Sequence, residues 1–246
     1  MSDINIKCLQ FDELDQAPDA PGIYAWYASI DIGAADWRAE IDPESGKDFG
    51  QTRLRSALLN HSGKYSQPPL SLVAQGTFSD CWRGSISPTY PEALENLLLG
   101  STKSENNSAT AGNFHKAFED QDSREMIAQA LDKTLPFFSS PLYIGVAKKS
   151  VKNRLNQHRN KIIGFYENLE ANPLLRDKLW EDITTKESNF AARVVMQNFS
   201  PSQLSVYICD FGLISDEKKA SFDVESIAVT LEWLLNRWHR PILGRT

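Results

Sequence analysis

The side chains best suited to binding a phosphate group are concentrated in one short stretch in the second half of the chain. Residues 148–161 contain no acid and six cations in fourteen residues: Lys148, Lys149, Lys152, Arg154, Arg159 and Lys161. On a helix, Arg154, His158 and Lys161 are three or four residues apart and share a face. Such a stretch can hold phosphates, although a solvated helix face is the commoner explanation of a cationic run.

Two short motifs that combine glycine and tyrosine lie on segments with strand character. Gly-Ile-Tyr occupies residues 22–24, and Tyr-Ile-Gly occupies residues 143–145. Because alternate residues of a strand share a face, the tyrosine and the glycine of each motif point the same way. If the two strands pair, Tyr24 and Tyr143 converge beside the gap left by the two glycines, where a phosphodiester backbone could approach. Either motif alone is weak evidence, since apolar strands often contain both residue types.

The clearest element in the sequence is an amphipathic helix near residue 230. Its apolar side chains recur at helical spacing: Val224, Ile227, Ala228, Leu231, Leu234, Leu235 and Trp238. Asp223 is the expected N-cap, and Pro241 ends the helix. Glu232 lies at the edge of the apolar stripe, where a partly desolvated carboxylate can bind a metal ion. Glu225, seven residues earlier on the same face, is the rival metal ligand.

The order of these motifs along the chain resembles that of a known enzyme family. The two tripeptides are followed by Arg154 with a histidine four residues later, and then by Glu232 with Pro241 nine residues later. This order resembles the GIY-YIG nucleases, and the histidine resembles their restriction-enzyme branch; the matching segments are residues 18–30 and 141–246. The resemblance implies an endonuclease that hydrolyses phosphodiester bonds with Mg²⁺ or Mn²⁺. Its expected partner is nucleic acid, with DNA favoured, in restriction, repair or phage defence.

The resemblance also implies a role for each matching side chain. The catalytic set is Tyr24, Tyr143, Arg154, His158 and Glu232, and the substrate-binding set is Gly22, Gly145, Lys148, Lys149, Lys152 and Lys161. Tyr24 would be the general base for water, helped by cations that favour its phenolate, and His158 would accept the proton near its ordinary pKa of about 6.5. Tyr143 would hydrogen-bond a phosphate oxygen or Tyr24. Arg154 would present its planar fork to two phosphate oxygens, and Glu232 would hold the metal ion.

Two features depart from the usual pattern of those nucleases. The tripeptides, which are ordinarily joined by a short turn, are separated by 118 residues. Gly244, twelve residues after Glu232, stands where the family usually has an asparagine that secures the active-site side chains. The expected fold is α+β, a GIY-YIG-like small antiparallel or mixed sheet flanked by helices, with an inserted α/β subdomain. The expected division is a nuclease core at residues 18–30 plus 141–246, the insertion at 31–140, and an N-terminal extension at 1–17.

Composition places further limits on function. The hydrophobic content of 41% and the charged content of 24% are ordinary for a globular protein. The net charge of −6 argues weakly against a nucleic-acid binder, but residues 141–246 carry fifteen basic and twelve acidic side chains. No apolar run approaches the roughly 20 residues of a membrane span, and the acidic N-terminus lacks a signal peptide, so a cytoplasmic protein without a membrane partner is expected. The isolated cysteines Cys8, Cys81 and Cys209 imply neither a disulfide framework nor a zinc cluster.

The remaining elements follow from local patterns. Strands are expected at residues 22–29, 141–147 and 203–212, with one or two more at 70–87. Helices are expected at residues 52–61, 90–100, 115–135 and from Ser150, a natural N-cap, to about 169. A polar low-complexity loop is expected at residues 101–113.

Two other interpretations remain open from the sequence. One is a non-catalytic nucleic-acid-binding or regulatory protein that keeps the fold, with Gly244 as a sign of lost activity. The other is an unrelated α/β protein in which the motifs are accidental. The choice between DNA and RNA and the formation of a homo-oligomer are also open. Four tryptophans are expected in the core rather than as base-stacking platforms: Trp26, Trp37, Trp233 and Trp238.

Overall fold

The structure is a computed structural model of the 246-residue chain. It describes residues 5–65, 70–75, 81–86, 108–172, 175, 190–212, 223–239 and 241–243. The chain forms two compact units. The first contains residues 1–29 and 135–246, and the second contains residues 30–134.

The described part of the chain contains strands, helices and 3-10 turns in alternation. The strands are β1 (Asn5–Gln10), β2 (Gly22–Ala28), β3 (Leu70–Gln75), β4 (Cys81–Ile86), β5 (Tyr143–Ala147) and β6 (Leu204–Asp210). The α-helices are α1 (Ala34–Trp37), α2 (Phe49–Tyr65), α3 (Ser108–Glu119), α4 (Gln121–Phe138), α5 (Val151–Ala171), α6 (Phe190–Met196) and α7 (Val224–His239). Two 3-10 helices span Phe11–Gln16 and Pro201–Gln203.

The first unit is built on a four-stranded sheet in the order β1-β6-β2-β5, and every neighbouring pair of strands is antiparallel. The predicted α+β class with a small antiparallel sheet is therefore confirmed. The register of β2 and β5 places Tyr24 opposite Gly145 and Trp26 opposite Tyr143. Segment 1–17, which the sequence suggested as an extension, supplies the edge strand β1 and the 3-10 helix that follows it.

The two faces of this sheet are covered by different helices. Tyr24 and Trp26 point toward α5, α6 and the first 3-10 helix, with Phe11 packing against Trp26. The opposite face carries Ile23 and Ile144, which form a buried cluster with Ala228 of α7. The alternation along β2 thus places Tyr24 and Trp26 on one face and Ile23 and Tyr27 on the other, as the sequence predicts.

Helix α7 packs on that apolar face through a narrower stripe than its sequence suggests. Val224, Ala228, Leu231 and Leu235 contact the buried cluster. Ile227 and Trp238, predicted on the same stripe, are exposed instead, as is Trp233. The stripe therefore follows the i, i+4, i+7, i+11 row alone. At the start of the helix the Asp223 carboxylate accepts the backbone N–H of Glu225, as expected of an N-cap.

The second unit contains α1, α2, the antiparallel hairpin β3–β4, α3 and most of α4. Its buried polar centre is Arg124, which is ion-paired with Asp48 and also donates to the carbonyls of Trp37 and Phe118. Because every one of these contacts is a hydrogen bond to a charged guanidinium, the buried charge is compensated.

The second unit also corrects two predictions from local sequence. The loop expected at residues 101–113 is helical from Ser108, where α3 begins. The single helix expected at residues 115–135 is two helices, broken at Asp120, whose carboxylate accepts the backbone N–H of Ser123 at the start of α4. The helix predicted at residues 90–100 lies outside the described residues. None of the described helices is long and apolar enough to cross a membrane.

Candidate active site

A buried hydrogen bond between Tyr24 and His158 lies at the centre of the first unit. The Tyr24 hydroxyl is 2.9 Å from His158 Nε2, and the two side chains are 1% and 6% exposed. Tyr24 is on the central strand β2, and His158 is on the buried side of α5 together with Leu155 and Ile162. Helix α5 is fixed at its start by Ser150, whose hydroxyl accepts the backbone N–H of Asn153, as predicted for its N-cap.

The glycines of the two tripeptides do not leave the open gap that the sequence suggested. A Cβ at Gly145 would lie 2.7 Å from the Tyr24 hydroxyl oxygen and 2.6 Å from Cε1 of Tyr143. A Cβ at Gly22 would lie 2.5 Å from the carbonyl oxygen of Cys209. The space above each glycine is therefore filled by the protein itself. Gly145 allows the Tyr24 ring to lie against β5, and Gly22 allows close packing of the backbone; neither offers a surface to a substrate.

Aromatic rings enclose the imidazole of His158. Its centroid is 5.8 Å from that of Tyr24, 5.7 Å from Tyr143, 6.4 Å from Trp26 and 5.4 Å from Phe190. Three of these residues come from the sheet, whereas Phe190 comes from the first position of α6. The two tyrosines converge as predicted, with ring centroids 6.2 Å apart. The hydroxyl of Tyr24, however, forms its hydrogen bond with His158.

Arg154 brings a positive charge to both tyrosines. Its guanidinium interacts with the hydroxyls of Tyr24 and Tyr143, and its Nη1 donates to Gln157 Oε1 over 3.2 Å. Partial burial lowers the pKa of Arg154, but the neighbouring tyrosines raise it by more, so that the net shift is upward. Within the ranges that the structure describes, Arg154 forms no ion pair with a carboxylate. The site therefore presents a cation whose neighbours are neutral oxygens.

The surroundings of His158 overturn the expectation that it titrates near 6.5. Burial, followed by the positive charges of Arg154 and Lys161, lowers the pKa of His158 to about 3. A buried imidazole in a cationic field is costly to protonate, so His158 is neutral around pH 7. A neutral imidazole accepts the Tyr24 hydroxyl at Nε2 in the tautomer that carries its ring proton on Nδ1.

Tyr24 departs from expectation in the opposite direction. Burial, and after it the neighbouring Tyr143, raises the pKa of Tyr24 well above its ordinary value. Glu232 raises this pKa further, and Arg154 lowers it without outweighing the effect of burial. The phenolate that the sequence suggested is therefore disfavoured in the free protein, because desolvation of an anion exceeds the attraction of one nearby cation.

Glu232 and Glu225, the two candidate metal ligands on α7, have different environments. Glu225 is exposed and forms an ion pair with Lys148. Glu232 is half-buried, and its negative charge acts on Tyr24 and on Lys148. The charge of Glu232, rather than that of Glu225, thus acts on Tyr24. Gly244 lies outside the described residues.

A single carboxylate is a sufficient protein ligand for a hydrated Mg²⁺ ion, which usually takes one or two carboxylates together with substrate phosphate oxygens. The described residues contain no group of three or more His, Cys, Asp and Glu side chains arranged to hold a metal ion. The half-buried Glu232 fits the single-carboxylate binding of a hydrated Mg²⁺ ion. The part of the chain that is described does not form an all-protein site of the kind that Zn²⁺ prefers.

The six cations at residues 148–161 do not form one continuous patch. Arg159 binds Asp15 with N–O distances of 2.9 and 3.2 Å, and Lys152 acts on the same carboxylate. Lys148 is paired with Glu225 on the surface. Lys161, in contrast, acts on His158, as Arg154 does. Asp15 and Glu225 therefore compensate part of this positive charge. Arg154, Lys161 and the exposed Lys149 remain as the cations that can contact an anion.

Among the described residues, Phe190 packs against His158 and was not identified from the sequence. It lies in a segment whose secondary structure was uncertain, and it is 32 residues from His158 along the chain. An aromatic residue followed by Ala-Ala-Arg-Val-Val does not decide between helix and strand, and it gives no indication of a partner.

Comparison with protein-family models, with curated proteins and with solved structures found no match for this chain.

Proposed function

We propose that the protein is a nuclease of the GIY-YIG type, which hydrolyses phosphodiester bonds in nucleic acid, with DNA as the favoured substrate and Mg²⁺ or Mn²⁺ as cofactor. The observation that carries the proposal is the position of Arg154, a cation without a carboxylate partner in the described structure, next to the hydrogen-bonded pair of Tyr24 and His158. The order of the sequence motifs supports it. An anion-binding group and a proton-accepting group thus occur side by side.

Arg154 would bind the phosphodiester group. The planar guanidinium donates two parallel hydrogen bonds to two phosphate oxygens, a geometry that a lysine ammonium cannot reproduce. The Tyr143 hydroxyl, next to the same guanidinium, would donate to a phosphate oxygen. Preorganised donors of this kind stabilise the charge that develops on the phosphoryl oxygens during hydrolysis.

The proton of the attacking water would pass through Tyr24 to His158. Because Tyr24 is protonated and His158 is neutral, the tyrosine can give its proton to Nε2 while it takes one from water, so that no free phenolate forms. A phosphate bound at Arg154 would offset the positive field that lowers the pKa of His158. Substrate binding would therefore make the imidazole a better base at the moment of reaction.

Glu232 is the residue that would hold the metal ion. When bound, Mg²⁺ or Mn²⁺ would neutralise negative charge on the phosphate and on the leaving oxygen. The half-buried Glu232 carboxylate supports this assignment, since its charge already acts on Tyr24.

Residues 31–140 are proposed to be an insertion between the two tripeptide strands that serves recognition or assembly. This stretch carries ten basic and fifteen acidic side chains, a balance that disfavours a broad phosphate footprint. Its known buried charge, Arg124, is fully engaged in holding the second unit together.

A second candidate is a nucleic-acid-binding protein that keeps this arrangement without cleaving its ligand. The observation favouring it is that the pKa values of Tyr24 and His158 both lie far from neutrality in the free protein. General acid–base groups work best with pKa values near the working pH. This candidate predicts binding of nucleic acid through Arg154 with no turnover.

The deciding experiment is incubation of the purified protein with labelled duplex, branched and modified DNA and with RNA, in Mg²⁺, Mn²⁺ or EDTA. Cleavage that requires the metal ion and falls at least a hundredfold in Tyr24→Phe supports the nuclease proposal. Tyr27→Phe is the matched control, since Tyr27 is on the same strand but on the opposite face of the sheet, against Tyr207. Binding without cleavage of any substrate would establish the second candidate.

A further inference from the structure

Phe190 closes the environment of His158 on the side that the sheet does not cover. Its ring lies 4.8 Å from the ring of Tyr143 at an interplanar angle of 32°, and 5.4 Å from the imidazole at 88°. It also packs on Trp26, with centroids 5.6 Å apart. Phe190 is 5% exposed, so these contacts fill a buried position rather than a surface.

The polar groups around His158 cannot by themselves keep it dry. Tyr24 and Tyr143 face it from the sheet, and Arg154 and Lys161 act on it from its own helix. All four carry groups that attract water or can bind it. On α6, by contrast, the residue that contacts the imidazole is the apolar Phe190. Removal of this ring would open a path for water to Nε2 and its hydrogen bond.

We propose that Phe190 is a positioning residue for the Tyr24–His158 pair. Its ring excludes water from the imidazole and fixes the ring of Tyr143, so that His158 stays neutral and accepts the Tyr24 hydrogen bond. The consequence for cleavage rests on the proposed nuclease function, whereas the consequence for the protonation of His158 does not.

The test is an NMR titration of the imidazole signals in the full-length protein, from pH 4 to 8. The chain has four histidines, so the His158 signal is assigned by its loss in His158→Gln. In the wild type, His158 remains neutral throughout this range. In Phe190→Ala, water enters and the midpoint for His158 rises by at least one pH unit into the observable range. Phe190→Leu, which keeps an apolar side chain at the site, retains the wild-type behaviour.

The control is Phe211→Ala. Phe211 is 3% exposed and packs with Ile23 and Ile144 on the other face of the sheet, so its truncation opens a comparable cavity away from His158. The expected result is an unchanged His158 titration in this variant. An unchanged titration in folded Phe190→Ala would overturn the proposal, and so would an equal shift in Phe211→Ala. If Phe190→Ala fails to fold, the proposal is tested with Phe190→Thr and Phe190→Val, which are similar in size but differ by a hydroxyl group, and equal midpoints would overturn it.

A kinetic measurement separates this inference from the proposed function. If cleavage is established, Phe190→Ala should lose rate between pH 7.5 and pH 5 in proportion to the fraction of His158 that its own measured midpoint shows to be protonated at pH 5, because protonated His158 cannot accept the Tyr24 proton. The wild type should change less than twofold over the same interval. A shifted titration in a protein that cleaves nothing would leave the role of Phe190 intact and contradict the nuclease function. Cleavage by the enzyme together with an unshifted His158 titration in Phe190→Ala would support the nuclease function and contradict the role of Phe190.

Discussion

Substitution of Gly145 by alanine should damage the site through the position of one hydroxyl group. The new Cβ would lie 2.7 Å from the Tyr24 oxygen, against an ordinary contact of 3.4 Å or more, so the hydroxyl must shift by about 0.7 Å. The hydrogen bond to His158 is 2.9 Å long in the native structure and would be lost or misdirected by such a shift. Displacement of a reacting group by about 1 Å typically costs on the order of a hundredfold in rate.

The same substitution has a separate effect on stability. Overpacking of a filled position costs about 1–3 kcal/mol, and replacement of glycine in a strand returns up to about 1 kcal/mol of backbone entropy. The free energy of unfolding of Gly145→Ala should therefore fall by about 1–2 kcal/mol, while kcat falls by roughly ten- to a hundredfold. A large loss of kcat with a small loss of stability indicates misplacement of Tyr24 rather than general destabilisation.

The assay compares single-turnover cleavage with urea unfolding for Gly145→Ala and for Gly164→Ala. Gly164 is in α5, and a Cβ there would have no neighbour within 4 Å. Its replacement should stabilise the helix by about 0.5–1 kcal/mol and leave the rate unchanged. The reasoning is refuted if folded Gly145→Ala cleaves at the wild-type rate, or if Gly164→Ala loses as much activity as Gly145→Ala.

Three further predictions concern the charged groups of the site. Arg154→Lys keeps the charge but loses the guanidinium fork, so kcat/KM should fall on the order of a hundredfold in a cleavage assay. A loss of less than about threefold would show that only the positive charge of Arg154 matters. Glu232→Gln should abolish metal-dependent cleavage with little change in Tm. Glu225→Gln removes only an exposed ion pair with Lys148 and should remain active. The opposite pattern would assign the metal to Glu225. The folded-state pKa of His158, about 3, is below its unfolded value of about 6.5, so the stability it contributes is complete above pH 6.5 and declines by about 1.4 kcal/mol per unit as the pH falls toward 3. Urea unfolding from pH 7 to 5 should show a steeper decline for the wild type than for His158→Gln, and identical slopes would mean that the imidazole is not buried in its neutral form.

The sequence by itself determined the features that depend on local periodicity. Alternation along a strand places Tyr24 and Trp26 on one face and Ile23 on the other, and the structure has this arrangement. A spacing of four residues on a helix brings Arg154 and His158 to the same flank. The caps at Ser150 and Asp223 were also readable, because capping involves residues only two or three positions apart.

Tertiary structure decided the properties that depend on neighbours distant in sequence. The low pKa of His158 arises from burial, to which Phe190 contributes from a segment that local patterns left uncertain. Likewise, Asp15 neutralises Arg159 from 144 residues away, and this contact divides a cationic run that appears continuous in the sequence. The spaces above Gly22 and Gly145 are filled because the register of three strands brings other side chains and backbone there.

The difference between the two sets has one physical cause. Periodicity follows from the geometry of a single strand or helix, so it is encoded within a few consecutive residues. Desolvation and charge compensation are sums over every group that surrounds a site, and those groups come from β2, β5, α5 and α6 together. The sequence therefore indicated that Tyr24, Arg154 and His158 could form a site. Packing determined the protonation states of Tyr24 and His158 in that site.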